Sequence, residues 1–235
     1  MTALVHYSVE NGVARLTLDS PHNRNAMSTA LVDQLRQGLT DAADDPGVRV
    51  VVLGHTGGTF CAGADLSEAA GRDPGDLATA RALEAAGLLR SILELPVPVI
   101  AAIDGHVRAG GMGLIGACDL VVAGTASTFA LTEARIGVAP SIISLTLLPK
   151  MTARAAGRYF VTGEKFGAEE AERIGLVTVA TDDVPATVAK LTDEITKGSP
   201  QGLATSKALT TASILADFDR DAEKLAKQSA QLFVS

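Results

Sequence analysis

Two glycine-rich stretches and one isolated acid are the residues whose types and spacing could do chemistry. The first stretch, Gly105–Asp119, reads GHVRAGGMGLIGACD between the apolar runs Val97–Ile103 and Leu120–Ala123. Glycines at that density let backbone approach another group closely. If a helix starts near Gly110, its first N–H groups lack intrahelical acceptors and carry the positive end of the dipole. Such a site suits a phosphate, a carboxylate or an oxyanion, and tight helix–strand packing explains the same glycines. The second stretch, Gly54–Asp65 (GHTGGTFCAGAD), follows the β-branched run Val48–Leu53. The acid is Glu133, set between Phe129-Ala130-Leu131 and Ile136-Gly137, a context that directs it at a cleft.

Other chemistries find no support in the sequence. There is no Gly-x-Ser-x-Gly elbow, Walker loop or His-Glu-x-x-His. His6, His22, His55 and His106 are scattered without metal-ligand spacing, and only His106 lies in the first glycine stretch. Cys61 sits in the second glycine loop, but nothing beside it would depress its pKa, so it reads as a small buried thiol.

The elements that must position these groups follow from pattern. Leu4–Val9 and Val13–Leu18 alternate across Asn11-Gly12, a hairpin signal. Ser20–Asn25 is loop. Ser28 caps a helix with an apolar stripe at Leu31, Leu35, Leu39 and Ala43, ended by Asp44-Asp45-Pro46-Gly47. A helix is expected from about Asp76 to Leu95, with Gly71–Gly75 as loop before it. Strand or hairpin, glycine loop and helix thus recur about every 45 to 50 residues, which predicts stacked ββα units. Phe129–Glu133 reads as a short extended piece, and Ser141–Lys150 as a buried helix. Arg154–Thr162 and Ala168–Ile174 read as short amphipathic helices. Asp182 or Asp183, and Ser199, start helices near 184–197 and 200–214, and Asp217 caps a last one. The expected division is a ββα core over 1–181 and an all-helical region over 182–235 suited to packing against another subunit.

Composition bounds the rest. With 235 residues, 47% hydrophobic, no Trp and 3% aromatic, the core must be built from Ala, Val, Leu and Ile. A net charge of −7 argues against nucleic acid or an anionic membrane as partner, but not against a small anionic ligand. Two cysteines, no apolar run of ~18 residues and no N-terminal signal pattern predict a soluble, cytoplasmic protein.

Four segments together carry a resemblance. NRNAMS (23–28), TFCAGADL (59–66), GHVRAGGMGLIGACDLVVA (105–123) and FALTEARIGVAP (129–140) resemble the crotonase superfamily of enoyl-CoA hydratases and isomerases, in order and over essentially the whole chain. The resemblance implies a crotonase-like α/β superhelix of stacked ββα units with a C-terminal helical region. It also implies an acyl-CoA thioester as substrate, with coenzyme A a part of that substrate and no separate cofactor or metal. Carried over by position, the N–H groups of Ala64 and Gly110 form an oxyanion hole, and Glu133 is the acid/base. The matching motifs mark Arg24, Ala26, Ala62, Asp65, Leu66, Gly111 and Gly113 as substrate-binding, with Ala62 and Leu66 near adenine and pantetheine and Arg24 near the CoA phosphates. Two-acid hydratases of the family carry a glutamate where this chain has Gly113. One carboxylate moves a proton between carbons, whereas two hold a water across a double bond. Hydration of a 2-enoyl-CoA therefore stands first, with a Glu133-only isomerase or a non-catalytic acyl-CoA-binding protein as alternatives. The GVAPSIIS continuation is similar to bacterial hydratases of short branched enoyl-CoAs, including the methylglutaconyl-CoA type. Resemblance implies a homotrimer or dimer of trimers. Family members run on past a last helix like the one ending at Phe233-Val234-Ser235, so truncation or a missing lid is expected.

Overall fold

A computed structural model describes residues 2–69 and 74–234; the side chains of Leu66, Ala69, 74–77, Phe233 and Val234 lie outside that description. The chain opens with an antiparallel hairpin, β1 (Val5–Glu10) and β2 (Val13–Leu18), turning at Asn11 (φ 51°) and Gly12 (φ 78°). A short 3-10 turn, Pro21–Asn23, leads to α1 (Thr29–Asp44), whose N-cap Ser28 accepts from Leu31 N at 3.3 Å. Of the expected stripe, Leu31, Leu35 and Leu39 are buried, whereas Ala43 is half-buried and Ala42 takes the buried place.

Three repeats follow, each placing one strand in a large sheet and the next in a small one. They are β3 (Val50–His55), β4 (Thr59–Cys61) and α2 (Pro74–Glu94); then β5 (Val99–Ile103), β6 (His106–Arg108) and α3 (Gly110–Ala117). The third has β7 (Leu120–Gly124), β8 (Thr128–Ala130) and α4 (Ser141–Leu147). After them come α5 (Ala153–Thr162), β9 (Phe166–Gly167), α6 (Ala168–Arg173), β10 (Val179–Thr181), α7 (Val184–Ile195) and α8 (Pro200–Val234). Among the described residues the large sheet runs β1-β2-β3-β5-β7-β10 and the small one β4-β6-β8-β9. The strands of successive repeats pair in parallel in both sheets, which is the stacked ββα architecture the periodicity predicts. One face of the large sheet packs Leu16, Val51, Leu53, Ala101 and Val121 against the helices; the other packs Val50, Val52, Ile100 and Val122 against Val184 and Val188 of α7.

Several boundaries differ from expectation. The strand expected from Val48 begins at Val50 and runs through Gly54 to His55, because Gly54 and His55 still pair with Thr17 and Leu18. Of the proposed Gly71–Gly75 loop, 71–73 lie outside the described residues, while Pro74 and Gly75 are already helical. The extended piece ends at Ala130, and Glu133 instead opens a 3-10 turn, Glu133–Ile136. Asp217 caps no separate helix: α8 runs unbroken for 35 residues, and the Asp217 carboxylate pairs with Arg220 at 2.6 Å. No Gly or Pro interrupts the stripe of Ile214, Phe218, Ala226 and Ala230 that keeps α8 on the core. Asp183 does cap α7, accepting from Ala186 N at 2.9 Å, and Ser199 Oγ accepts from Gly202 N at 3.2 Å. α8 lies across α2 and α4 of its own chain. Its Lys207 is buried against Asp119, with Nζ 2.8 Å from Asp119 Oδ2. No described helix is long and apolar enough to cross a membrane.

Candidate active site

The strand pairing of the small sheet sets the site. β6 and β8 are parallel with Arg108 opposite Ala130, so Gly110 and Glu133 emerge from the same, C-terminal, ends of neighbouring strands. β4 lies on the other side of β6 and delivers the loop holding Ala64.

That loop is held by the chain before α1. Met27 N donates to Gly63 O at 2.7 Å, and Asp65 N donates to Met27 O at 3.2 Å. These two bonds make a parallel bridge between Met27 and Ala64. In such a bridge the flanking peptides take the hydrogen bonds, so the N–H of Ala64 itself is directed away from the pairing. Ala64 is exposed, and its N–H has no partner among the described residues.

The second donor comes from α3. Gly110 is the first residue of that helix, and its N-cap, Ala109, offers no side-chain cap. Ala109 sits at φ 46°, ψ −123°, a conformation that costs an ordinary residue about 1–3 kcal/mol and clusters at functional sites. The neighbouring β8 holds it there through Ala109 N donating to Ala130 O at 3.3 Å. The two loops touch through backbone. A Cβ on Gly63, whose φ is +98°, would lie 2.8 Å from Ala109 Cβ and 3.1 Å from Gly110 N. A Cβ on Gly110 would run into the Met27 methyl and lie 3.7 Å from Ala64 N. Both glycines are therefore required for two unengaged N–H groups to come side by side. Uncompensated donors at a helix start are suited to charge that develops on an oxygen.

Glu133 adds a titratable group beside these loops. Its Oε2 is buried without a hydrogen-bond partner, and burial pushes its carboxyl above the ordinary value of 4.5. An uncompensated buried carboxylate oxygen is costly, so its presence here fits a group kept ready for a substrate proton. Position 113 is closed to a side chain: Gly113 is buried, and Ile143 and Leu89 fill the space into which one would project.

The remaining site residues fall in two sets. Arg24 is exposed in a left-handed conformation (φ 59°), and its carbonyl accepts from Ala62 N at 3.1 Å. Ala26 is buried at 7% exposure, and Asp65 is held by Ser67 and by Asn23 Nδ2 at 3.1 Å; the Ser67 hydrogen bonds lower its pKa. Leu66 opens a 3-10 turn, Leu66–Ala69. These five border the Ala64 loop. Gly111 packs against Cys61 and Gly113 against Ile143, so both lie inside the protein behind Gly110.

Sequence reasoning missed Met27, Asn25 and Ile143, although the first two lie within NRNAMS. A recess of about 40 Å³ adjoins Ala64 and Met27 and is closed by Val32 and Ala85, with Thr29, Glu68, Arg81 and Glu84 around it. A larger hollow of about 330 Å³ lies across the sheet at Arg15, Thr17 and His55 and borders none of Ala64, Gly110 and Glu133. Volume therefore does not mark the site; the donors and the acid do. The Cys61 thiol is fully buried and pushed up to about 12, as expected of a packing residue. His106 pairs with Thr128 Oγ1 at 2.9 Å on the exposed side of β6.

The description of the enoyl-CoA hydratase/isomerase family matches residues 8–235. A solved structure of an enoyl-CoA hydratase from Mycobacterium avium is 65% identical, covering 100% of this chain and 92% of its own, with a TM-score of 0.95. One from Mycobacterium smegmatis is 30% identical, covering 98% and 90%, with a TM-score of 0.87. Among curated proteins, the enoyl-CoA hydratase AKT6-1 of Alternaria alternata is 30% identical over 227 residues, 95% of this chain and 74% of its own length.

Proposed function

The chain belongs to the enoyl-CoA hydratase/isomerase family, and we propose that it catalyses the reversible hydration of a 2-enoyl-CoA with one carboxylate and a two-donor oxyanion hole. The observation that carries this reading is the unpartnered, buried Oε2 of Glu133, in the turn that follows the strand beside the one leading into Gly110. The thioester oxygen sits between the N–H groups of Ala64 and Gly110. As the oxygen of water bonds to C3, electron density moves onto the thioester oxygen, and the two donors stabilise it. Glu133 takes the proton that water loses and returns a proton to C2, so the carboxylate is regenerated. One hole donor contributes about 2.7–4 kcal/mol to such a transition state.

The CoA moiety is assigned to the Ala64 side, along Ala26, Ala62, Asp65 and Leu66, with exposed Arg24 at the phosphates. Homotrimeric assembly, or a dimer of trimers, is proposed from the resemblance, and light scattering on the purified protein tests it.

Gly113 favours a second reading. With no carboxylate possible under Ile143, Glu133 alone can move a proton from C2 of a 3-enoyl-CoA to C4. Incubation with panels of 2-enoyl- and 3-enoyl-CoAs, read by mass and chromatography, separates the readings. A gain of one water supports hydration, a shifted double bond at unchanged mass supports isomerisation, and binding without product leaves a carrier.

A further inference from the structure

We infer that Asn25 is a positioning residue for the reaction: its buried side-chain amide fixes the direction in which Ala64 presents its N–H. The inference rests on the reading of Ala64 as a hole donor. Asn25 is 0% exposed and adopts φ 52°, directly after Arg24 at φ 59°. Two successive left-handed residues, neither a glycine, reverse the chain between the Pro21–Asn23 turn and α1.

The Asn25 amide is used at both ends. Oδ1 accepts from Ser20 N at 2.6 Å, and Nδ2 donates to Thr56 O at 3.0 Å and to Thr59 O at 2.8 Å. Asn25 N also donates to Ser20 O at 2.8 Å, which closes the reversed turn on itself. Thr56 and Thr59 bracket the tight Gly57-Gly58 connection between β3 and β4. The side chain therefore joins the reversed turn to the start of the strand that delivers Ala64.

From there the same two segments run side by side. Ala62 N donates to Arg24 O, Met27 N to Gly63 O, Asp65 N to Met27 O, and Asn23 Nδ2 to Asp65 Oδ2. Residues 62, 63 and 65 are thus each bonded to 23–27, and Ala64 is the one peptide of the run whose N–H is left for a ligand. Asn25 sets the register of this pairing through its bonds to Ser20, Thr56 and Thr59. Hole donors act through geometry, and a displacement of ~1 Å costs on the order of 10²-fold in rate.

The test is Asn25→Gly, which keeps the left-handed backbone and removes the amide. With the variant folded, kcat for a 2-enoyl-CoA should fall roughly 10- to 100-fold while KM stays within about threefold. The second readout is optical. A chromophoric aryl-enoyl-CoA bound by the wild type absorbs to the red of the free ester, because the donors polarise its carbonyl; bound by the variant it should lose most of that shift. Unchanged kcat, or a retained red shift in the variant, overturns the inference. Absence of the red shift in the wild type overturns the hole reading itself and is seen without any variant. If Asn25→Gly does not fold, Asn25→Asp carries the same comparison, since it keeps the shape and the Ser20 acceptor and lacks both donors.

Discussion

Ile143 Cγ2 stands 2.5 Å, and its Cβ 3.0 Å, from the point where a Cβ on Gly113 would lie, with Leu89 Cδ1 at 3.2 Å. The exclusion of a side chain at position 113 is thus a property of how α4 and α2 pack on α3, not of residue 113 alone. Gly113→Glu by itself forces an extra side chain, and a charge, into a filled core, and should destabilise by about 1–3 kcal/mol or more without any gain in rate. Adding Ile143→Ala removes the obstruction. The double variant is expected to unfold at a higher temperature than Gly113→Glu and to hydrate a 2-enoyl-CoA faster than Ile143→Ala alone. Scanning calorimetry with initial rates checks both. If Gly113→Glu melts like the wild type, Ile143 is not what closes this position.

The same logic applies to Gly110 and Met27. An alanine at 110 meets the Met27 methyl and shifts either α3 or the Ala64 loop. Gly110→Ala should lower kcat by about 10²-fold, the scale of one lost hole donor. Met27→Ala in the same chain should recover part of that loss, giving a coupling energy of about 0.5–3 kcal/mol in a double-mutant cycle. Additive effects would separate Met27 from the hole.

Much of this arrangement was legible in the sequence because it is local. Asn11-Gly12, Ser28 and Asp183 specify their turn and caps through their own side chains and neighbours, and the glycines at 63 and 110 announce close backbone approach. Glu133 stood out as an acid in an apolar setting. What could not be read depends on contacts distant in the chain. Asn25 bonds to Thr56 and Thr59 more than 30 residues away. Ile143 covers Gly113 from a different helix. The continuity of α8 past Asp217 is decided by the surface of α2 beneath it, where a local capping signal is overridden by burial of Phe218 and Ala226.

Lys207 carries a prediction about the long helix. Its Nζ is bonded to Asp119 and to the carbonyls of Ile92 and Val97, at 2.8 and 3.1 Å for the carbonyls. Burial lowers the pKa of its ammonium, and Asp119 opposes that shift. Lys207→Ala leaves the half-buried Asp119 carboxylate and two carbonyls without their cation, although Val99 N still donates to Asp119, a loss of about 1–3 kcal/mol. Paired with Asp119→Asn, part of the loss should return, because the uncompensated charge is gone. Urea unfolding of the two variants decides; a change under about 0.5 kcal/mol for Lys207→Ala would show that α8 does not depend on this pair.

Glu133 links activity and stability through pH, with opposite signs. In the proposed role of base Glu133 would act ionised, so kcat/KM should rise with pH through an inflection above 4.5, because burial favours the protonated form. For stability, a folded-state pKa above the unfolded one means that the folded chain holds the proton more tightly. The contribution of Glu133 is then fully present below the unfolded value near 4.5 and is lost as pH rises through the folded value. Glu133→Gln removes this titration. The variant should lose turnover by at least about 10²-fold while still binding the CoA ester. It should also melt above the wild type near neutral pH, with the difference shrinking as pH falls towards 4.5. Parallel pH series of kcat/KM and melting temperature check the two signs together. A variant that keeps full turnover excludes Glu133 as the acid/base, whereas equal melting curves at every pH would mean that its carboxylate is no more desolvated in the folded chain than in the unfolded one.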